Sequence, residues 1–138
     1  LKLRVQKLGV QGANPDLDTA FRDAVKARAG ALVTITGNTL FRNSKRVAEL
    51  AIKHRLPSIF EGATWVDNGG LMSYSAQELE LFRRAATYVD KILKGTKPAD
   101  LPVEQPMKFE FTINLKTAKA LNLTIQQSVL FRADKVIR

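Results

Sequence analysis

Apolar residues recur along the chain with two alternating periods, and that alternation sets the reading of the whole sequence. Residues 5–10 alternate weakly, as an extended strand would. A turn-rich stretch, Gln11-Gly12-Ala13-Asn14-Pro15, follows, and then Leu17, Ala20, Phe21, Ala24 and Val25 recur at helical spacing. The spacing predicts a helix over 17–29, with Asp16 as its N-cap, Asp18 at the positive end of its dipole, and Gly30 as the left-handed residue that closes it. Ala31-Leu32-Val33-Thr34-Ile35-Thr36 is short, β-branched and apolar, the pattern of a parallel strand buried on both faces. Val47, Leu50 and Ala51 give a second helix over 44–54, with Glu49 and Lys53 paired on its wet side. Ser58-Ile59-Phe60 is then a further short strand. Strands and helices alternating through short connections predict parallel βαβ units, and so an α/β fold with a Rossmann-like parallel sheet flanked by helices.

Beyond Phe60 the pattern breaks. Residues 61–70 read as loop by their glycines and polar residues, and 71–74 as a short strand. Ser75 and Glu78 have capping-box spacing, which starts a helix over 77–94 whose apolar face is Phe82, Ala85, Ala86, Val89, Ile92 and Leu93; Gly95 and Pro98 close it. Residues 97–106 hold three of the five prolines and form an extended connector. Strict alternation of Met107, Phe109, Phe111, Ile113 and Leu115 with polar residues predicts a strand with one wet face, followed by a short helix over 116–121 and an amphipathic end over 128–137.

Composition narrows the function classes. A chain of 138 residues with 45% hydrophobic content is long enough to build a core. Cysteine is absent, which removes disulfides, thiolate metal sites and thiol catalysis. No stretch approaches the ~18 apolar residues of a membrane-spanning helix, and the first ten residues carry too many charges for a signal-peptide core. Because the chain opens on a strand-like segment without Met, an upstream portion with any export signal is expected to be missing. The net charge of +9 raises the possibility of nucleic-acid binding, but the 22 basic residues are spread along the whole chain and interleaved with acids. A solvated basic surface fits that distribution better, with no nucleic-acid partner.

The chemistry of an enzyme is missing. His54 is the only histidine and sits at a helix end, where an imidazole faces the dipole's carbonyl end. No metal set, phosphate-binding glycine loop or nucleophile elbow can be assembled. The sequence is thus read as a non-enzyme without cofactor or metal. Candidate ligand-binding residues are polar and aromatic side chains at the carboxyl ends of predicted strands, where open α/β sheets bind ligands. They are Thr36, Asn38, Thr39 and Phe41 after one strand, Glu61, Thr64 and Trp65 after the next, and Tyr74 at the end of the third. For Trp65 two roles stay open, a ring stacked on a ligand or an anchor that packs the loop on the core; Asn38 is either a ligand contact or a turn and cap residue.

Longer strings carry a resemblance. Ala48-Glu49-Leu50-Ala51-Ile52-Lys53-His54-Arg55-Leu56-Pro57, Gly69-Gly70-Leu71-Met72-Ser73-Tyr74, Arg83-Arg84-Ala85-Ala86-Thr87-Tyr88-Val89-Asp90-Lys91-Ile92-Leu93-Lys94-Gly95 and Lys97-Pro98-Ala99-Asp100-Leu101-Pro102-Val103-Glu104-Gln105-Pro106 closely resemble the ABC transporter substrate-binding proteins related to tryptophan and tyrosine binders. Phe109 onward, with Asn114-Leu115-Lys116-Thr117-Ala118-Lys119-Ala120-Leu121, continues the likeness.

The resemblance implies the carboxyl-terminal lobe of a type I periplasmic-binding-protein fold, in which two lobes close on a small ligand that is then delivered to a membrane permease. On that pattern residues 1–68 form the carboxyl-terminal lobe, 69–102 a crossover strand and long helix that pack on the amino-terminal lobe, and 103–138 the return strand and terminal helices. The implied location is periplasmic, or extracytoplasmic with a lipid anchor. The family's aromatic amino-acid binders show Thr-Asp-Asn where this chain has Thr36-Gly37-Asn38, so the Asn is kept, the Asp is lost, and Glu61 is left to supply a charge. The expected ligand is an amino acid, another small carboxylic acid or an aromatic compound. An effector-binding module of a transcriptional regulator shares the lobe architecture and is the alternative. If the other lobe is missing, the stripe Phe82, Ala86, Val89 and Leu93 is expected to be exposed and either to fold back on the chain's own half-sheet or, the favoured outcome, to pair the chain into a homodimer.

Overall fold

The computed structural model describes residues 3–35 and 37–138. Five strands, β1 (Leu32–Val33), β2 (Ser58–Phe60), β3 (Met72–Ala76), β4 (Phe109–Asn114) and β5 (Lys135–Ile137), form one sheet in the spatial order β1-β2-β3-β4-β5. β1, β2 and β3 pair in parallel, β4 runs antiparallel to β3, and β5 is parallel to β4. The fold is α/β as the alternation predicts, but the sheet is mixed rather than parallel. The connector ahead of Phe109 brings the chain back along β3 without a crossover, and that reverses the strand direction.

Seven helices flank the described sheet: α1 (Leu17–Lys26), α2 (Asn38–Arg42), α3 (Ser44–Lys53), α4 (Ala63–Asp67), α5 (Glu78–Leu93), α6 (Leu115–Ala120) and α7 (Gln127–Leu130). Asp16 caps α1 as expected, accepting a 2.9 Å hydrogen bond from the Thr19 N–H. The helix stops earlier than its apolar period suggests, because the left-handed residue is Arg28 (φ 55°) rather than Gly30. α1, α3 and α4 converge on one core in which Leu17, Phe21, Val47, Leu50 and Trp65 pack with Phe60 of β2. Burying side chains of this size supplies most of the driving force for such a lobe, ~1.5–3 kcal/mol each. A second cluster joins Leu71 to Ala118 and Leu121 at α6.

Side chains alternate across the sheet, so residues paired in register share a face. Phe60, Ser73 and Thr112 lie on one face and are buried. Val33 and Tyr74 lie on the other and are open, Val33 being 68% exposed. The expectation that the first of these strands is buried on both faces therefore fails: β1 has no helix over its outer side among the described residues.

Three further expectations are corrected. Residues 5–10 form no strand. Ser75 and Glu78 make no capping box, because β3 runs on through Ser75 and Ala76, which pair with Glu110 and Phe109, and Gln77 becomes the N-cap of α5 without a side-chain bond. The amphipathic end at 128–137 resolves into the single turn α7 and the strand β5.

At Gly70 the chain requires glycine for space. A Cβ there would lie 2.6 Å from the Phe60 ring and 2.8 Å from the Trp65 carbonyl oxygen. Asn114 ties the end of β4 to α4 and α6. Its Oδ1 accepts from the N–H groups of Lys116 and Thr117 at 3.0 and 3.2 Å, capping α6, while its Nδ2 donates to the Val66 carbonyl at 3.3 Å.

Candidate functional site

The parallel strands β1 and β2 end side by side, and their carboxyl ends present the polar groups on which a site can be built. Just past β1, the Thr34 N–H donates to the Ile59 carbonyl at 3.4 Å and its hydroxyl donates to Glu61 Oε2. Glu61 follows β2 directly, so backbone pairing brings these two side chains together. The other carboxylate oxygen, Oε1, is buried and meets no hydrogen-bond partner among the described residues. A buried polar atom left unanswered is costly, of order 1–3 kcal/mol, unless something else supplies the donor.

Of the residues singled out from sequence, Thr36 lies outside the described residues. Asn38 is exposed as the first residue of α2, with Gly37 rather than Asn38 in the N-cap position. The Thr39 hydroxyl donates to the Gly12 carbonyl at 3.3 Å, and the Thr39 carbonyl accepts from Asn43 Nδ2 at 2.8 Å, which fastens α2 to the segment before α1 and to α3. Phe41 is half exposed and meets the Trp65 ring edge-on at 6.4 Å between centroids. Thr64 is exposed in the first turn of α4.

Trp65 is 1% exposed and stacks on Phe60 with centroids 4.8 Å apart and planes 10° from parallel. Of the two roles open to it, this packing favours the anchor. Its segment is a helix of five residues, α4, and not the irregular loop the glycines suggest. Tyr74 is exposed on the open face of β3, stacked on Phe109 at 5.4 Å and edge-on to Phe111 at 6.3 Å.

The structure thus brings Thr34 to Glu61 and Phe41 to Trp65, and places Tyr74 with the aromatic residues of β4. Thr34 was missed in the sequence. Thr34 and Thr36 lie two apart in one apolar run, and only the early end of β1 at Val33 shows that Thr34 already belongs to the strand end. His54, the only histidine, caps α3 and stacks on Phe21 at 5.8 Å, a packing role.

The parallel strands β1 and β2 thus end in a hydroxyl and a carboxylate, at the edge where open α/β sheets hold ligands. The chain belongs to the ABC transporter substrate binding protein family, whose pattern it matches over residues 1–137. Three solved structures share the fold. A conserved domain protein from Vibrio cholerae aligns with a TM-score of 0.80 at 23% identity, over 88% of this chain and 40% of that one. The ABC domain from Streptococcus pneumonia in complex with L-Trp aligns at 0.77 and 27% identity, over 88% of this chain and 42% of the other. A substrate-binding protein with adhesive properties from Clostridium difficile, in a ligand-free, open form, aligns at 0.64 and 19% identity, over 89% and 40%. A search of curated proteins gave no match. The chain therefore spans about two fifths of the length of these structures. The family consists of substrate-binding proteins, which usually work outside the cytoplasm. No helix among the described residues is long and apolar enough to cross a membrane.

Proposed function

We propose that this chain is the carboxyl-terminal ligand-holding part of a periplasmic solute-binding protein, which closes on a small ligand and hands it to a membrane permease. The division at residues 68 and 102 into lobe, crossover with long helix, and return belongs to this proposal. Family membership supports the transport role. The observation that carries the ligand class is Glu61, held by the Thr34 hydroxyl on one oxygen and unanswered on the other. A carboxylate in that state favours a ligand that brings an N–H donor, an ammonium group above all. Aromatic residues nearby and the Trp-bound relative point to an amino acid with an aromatic or other apolar side chain. Ligand binding then acts by differential contact: the closed arrangement is stabilised by as much as the ligand prefers it.

Calorimetry with L-tryptophan, tryptamine and indole-3-propionate tests the reading, with Glu61→Gln as the variant. The two ligands that carry an ammonium bind, the propionate does not, and Glu61→Gln weakens the first two by tenfold or more, the ~1.5–3 kcal/mol of a hydrogen bond to a charged group. Equal binding of all three ligands, or an unaffected variant, removes the assignment of Glu61.

A further inference from the structure

α1 and α3 end in the same way. Lys26 and Lys53 are their last residues, and two residues further on Arg28 and Arg55 adopt the left-handed conformation, at φ 55° and 54°. Glycine takes this conformation after a helix without a steric cost, because it has no Cβ. Both positions carry arginine instead, and a strained conformation kept twice for the same side chain points to a use for that side chain. The helix ends do not need the extra cation, since Lys26 and Lys53 already face the carbonyl end of each dipole.

Topology gathers these cations. α1 leads into β1 and α3 into β2, and the two strands lie parallel with Leu32 beside Ser58, so both helices finish at the amino edge of the sheet. Phe21, stacked on His54 at 5.8 Å, holds the two helix ends together. Lys26, Arg28, Lys53 and Arg55 are all exposed there. The carboxylates nearby are answered: Asp23 lies 3.5 Å from Lys26, Glu49 lies 3.8 Å from Arg46, and Asp67, at the end of α4, pairs with Lys135 at 2.9 Å. Among the described residues, Arg28, Lys53 and Arg55 form no ion pair. Along the linear sequence the cluster is invisible, because a whole strand and helix separate its two halves. Glu61 lies at the carboxyl ends of the same strands, so this basic pole is at the opposite end of the lobe from the ligand edge, and a cleft closing on its ligand leaves it open.

We propose that this pole docks on an anionic lipid bilayer, with Arg28 and Arg55 holding phosphate headgroups and Lys26 and Lys53 beside them. The forked guanidinium takes two phosphate oxygens at once, and lysine adds charge. The choice of a bilayer rests on the transport reading, under which the protein works beside a membrane. Nucleic acid fits the pole less well, since among the described residues no exposed aromatic ring stands with these cations to stack a base. Each cation held near an anionic surface strengthens binding about fivefold, and salt screens it.

Co-sedimentation of the whole chain with vesicles of phosphatidylglycerol and phosphatidylcholine tests the docking. It needs no solute ligand, so it can fail while the transport reading stands. The chain is expected to bind these vesicles at low salt, to come off at about 1 M salt, where the screening length is about 3 Å, and to ignore pure phosphatidylcholine. Arg28→Gly with Arg55→Gly is expected to weaken binding at least about tenfold while the urea midpoint stays level or rises, because glycine relieves both left-handed residues. A merely structural role for the two arginines would lower the midpoint instead. Lys91→Ala with Arg132→Ala removes the same charge elsewhere and is expected to leave binding within about twofold. Binding that survives the glycine pair, or falls as far in the control pair, overturns the pole. No binding to the anionic vesicles, or tighter binding to duplex DNA at matched phosphate, overturns the bilayer as its partner.

Discussion

Replacing Trp65 with alanine tests whether this side chain belongs to the core or to the ligand. Trp65 is 1% exposed, its ring lies flat on Phe60 at 4.8 Å, and its edge contact with Phe41 closes the remaining side. Truncating a buried Trp to Ala removes its transfer free energy and leaves a cavity, together about 3–5 kcal/mol. The stacked pair contributes within that range, ~0.5–1.5 kcal/mol beyond area alone. Gly70 packs closely against the Trp65 carbonyl and the Phe60 ring, so the segment is tightly fitted where the ring would be removed. Set against a total stability of about 5–15 kcal/mol for a domain of this size, the loss is about a fifth or more. Urea denaturation followed by far-ultraviolet circular dichroism reads it without relying on the deleted fluorophore. With a slope of about 2 kcal/mol per molar, the midpoint falls by about 2 M. A midpoint shift below ~0.5 M would show that Trp65 is not the anchor, and the stacking role on a ligand would then regain its claim.

Gly70→Ala forces a Cβ to within 2.8 Å of a backbone oxygen, and an overpacking cost of about 1–3 kcal/mol is expected in the same urea assay, with Gly9→Ala, where nothing lies within 4 Å, as the neutral control. Asn114→Ala removes the cap of α6 and the bond to the Val66 carbonyl together, and should destabilise by about 2 kcal/mol; Asn114→Asp keeps the cap but sets a buried carboxylate oxygen against the Val66 carbonyl, and is expected to destabilise as well. The Arg84 guanidinium holds the Glu104 carboxyl below the ordinary glutamate value of 4.5, so the stability this pair adds is present above that value and is lost as pH falls through the lowered folded-state value. The pH-dependent shift of the amides of residues 101–104 should therefore centre below 4.5, and added salt or Arg84→Ala should bring that transition back toward 4.5.

The elements that could be read from sequence are those long enough to show a full period. α3 and β2 fall where the apolar spacing and the short run Ser58-Ile59-Phe60 put them, and β4 forms where the alternation puts it, but the expected wet face is not there: Thr112, Ile113 and Asn114 are all buried while Phe109 is 48% exposed, because the end of β4 is covered on both faces. α2 and α4 are five residues each, little more than one turn, and too short to repeat. The mixed direction of the sheet depends on where the connector returns, a long-range choice that no local pattern records. Trp65 shows why a site is harder to read than a fold. Glycines around it suggested an open loop, whereas the short helix they frame turns the ring inward. Thr34 shows the reverse case, a side chain hidden inside an apolar run whose role appears only when β1 ends one residue before it.

The claim on which the rest depends is that the carboxyl ends of β1 and β2 form the ligand-holding edge of this lobe. Backbone amide shifts in heteronuclear NMR, recorded while the chain is titrated with a panel of free amino acids and aromatic carboxylates, test it most directly. At least one amino acid is expected to move the amides of residues 34–35, 37–41 and 61–65 together, in a saturable way, while those of α6 and α7 stay still. Saturable shifts confined to another region, or none with any member of the panel, would contradict it.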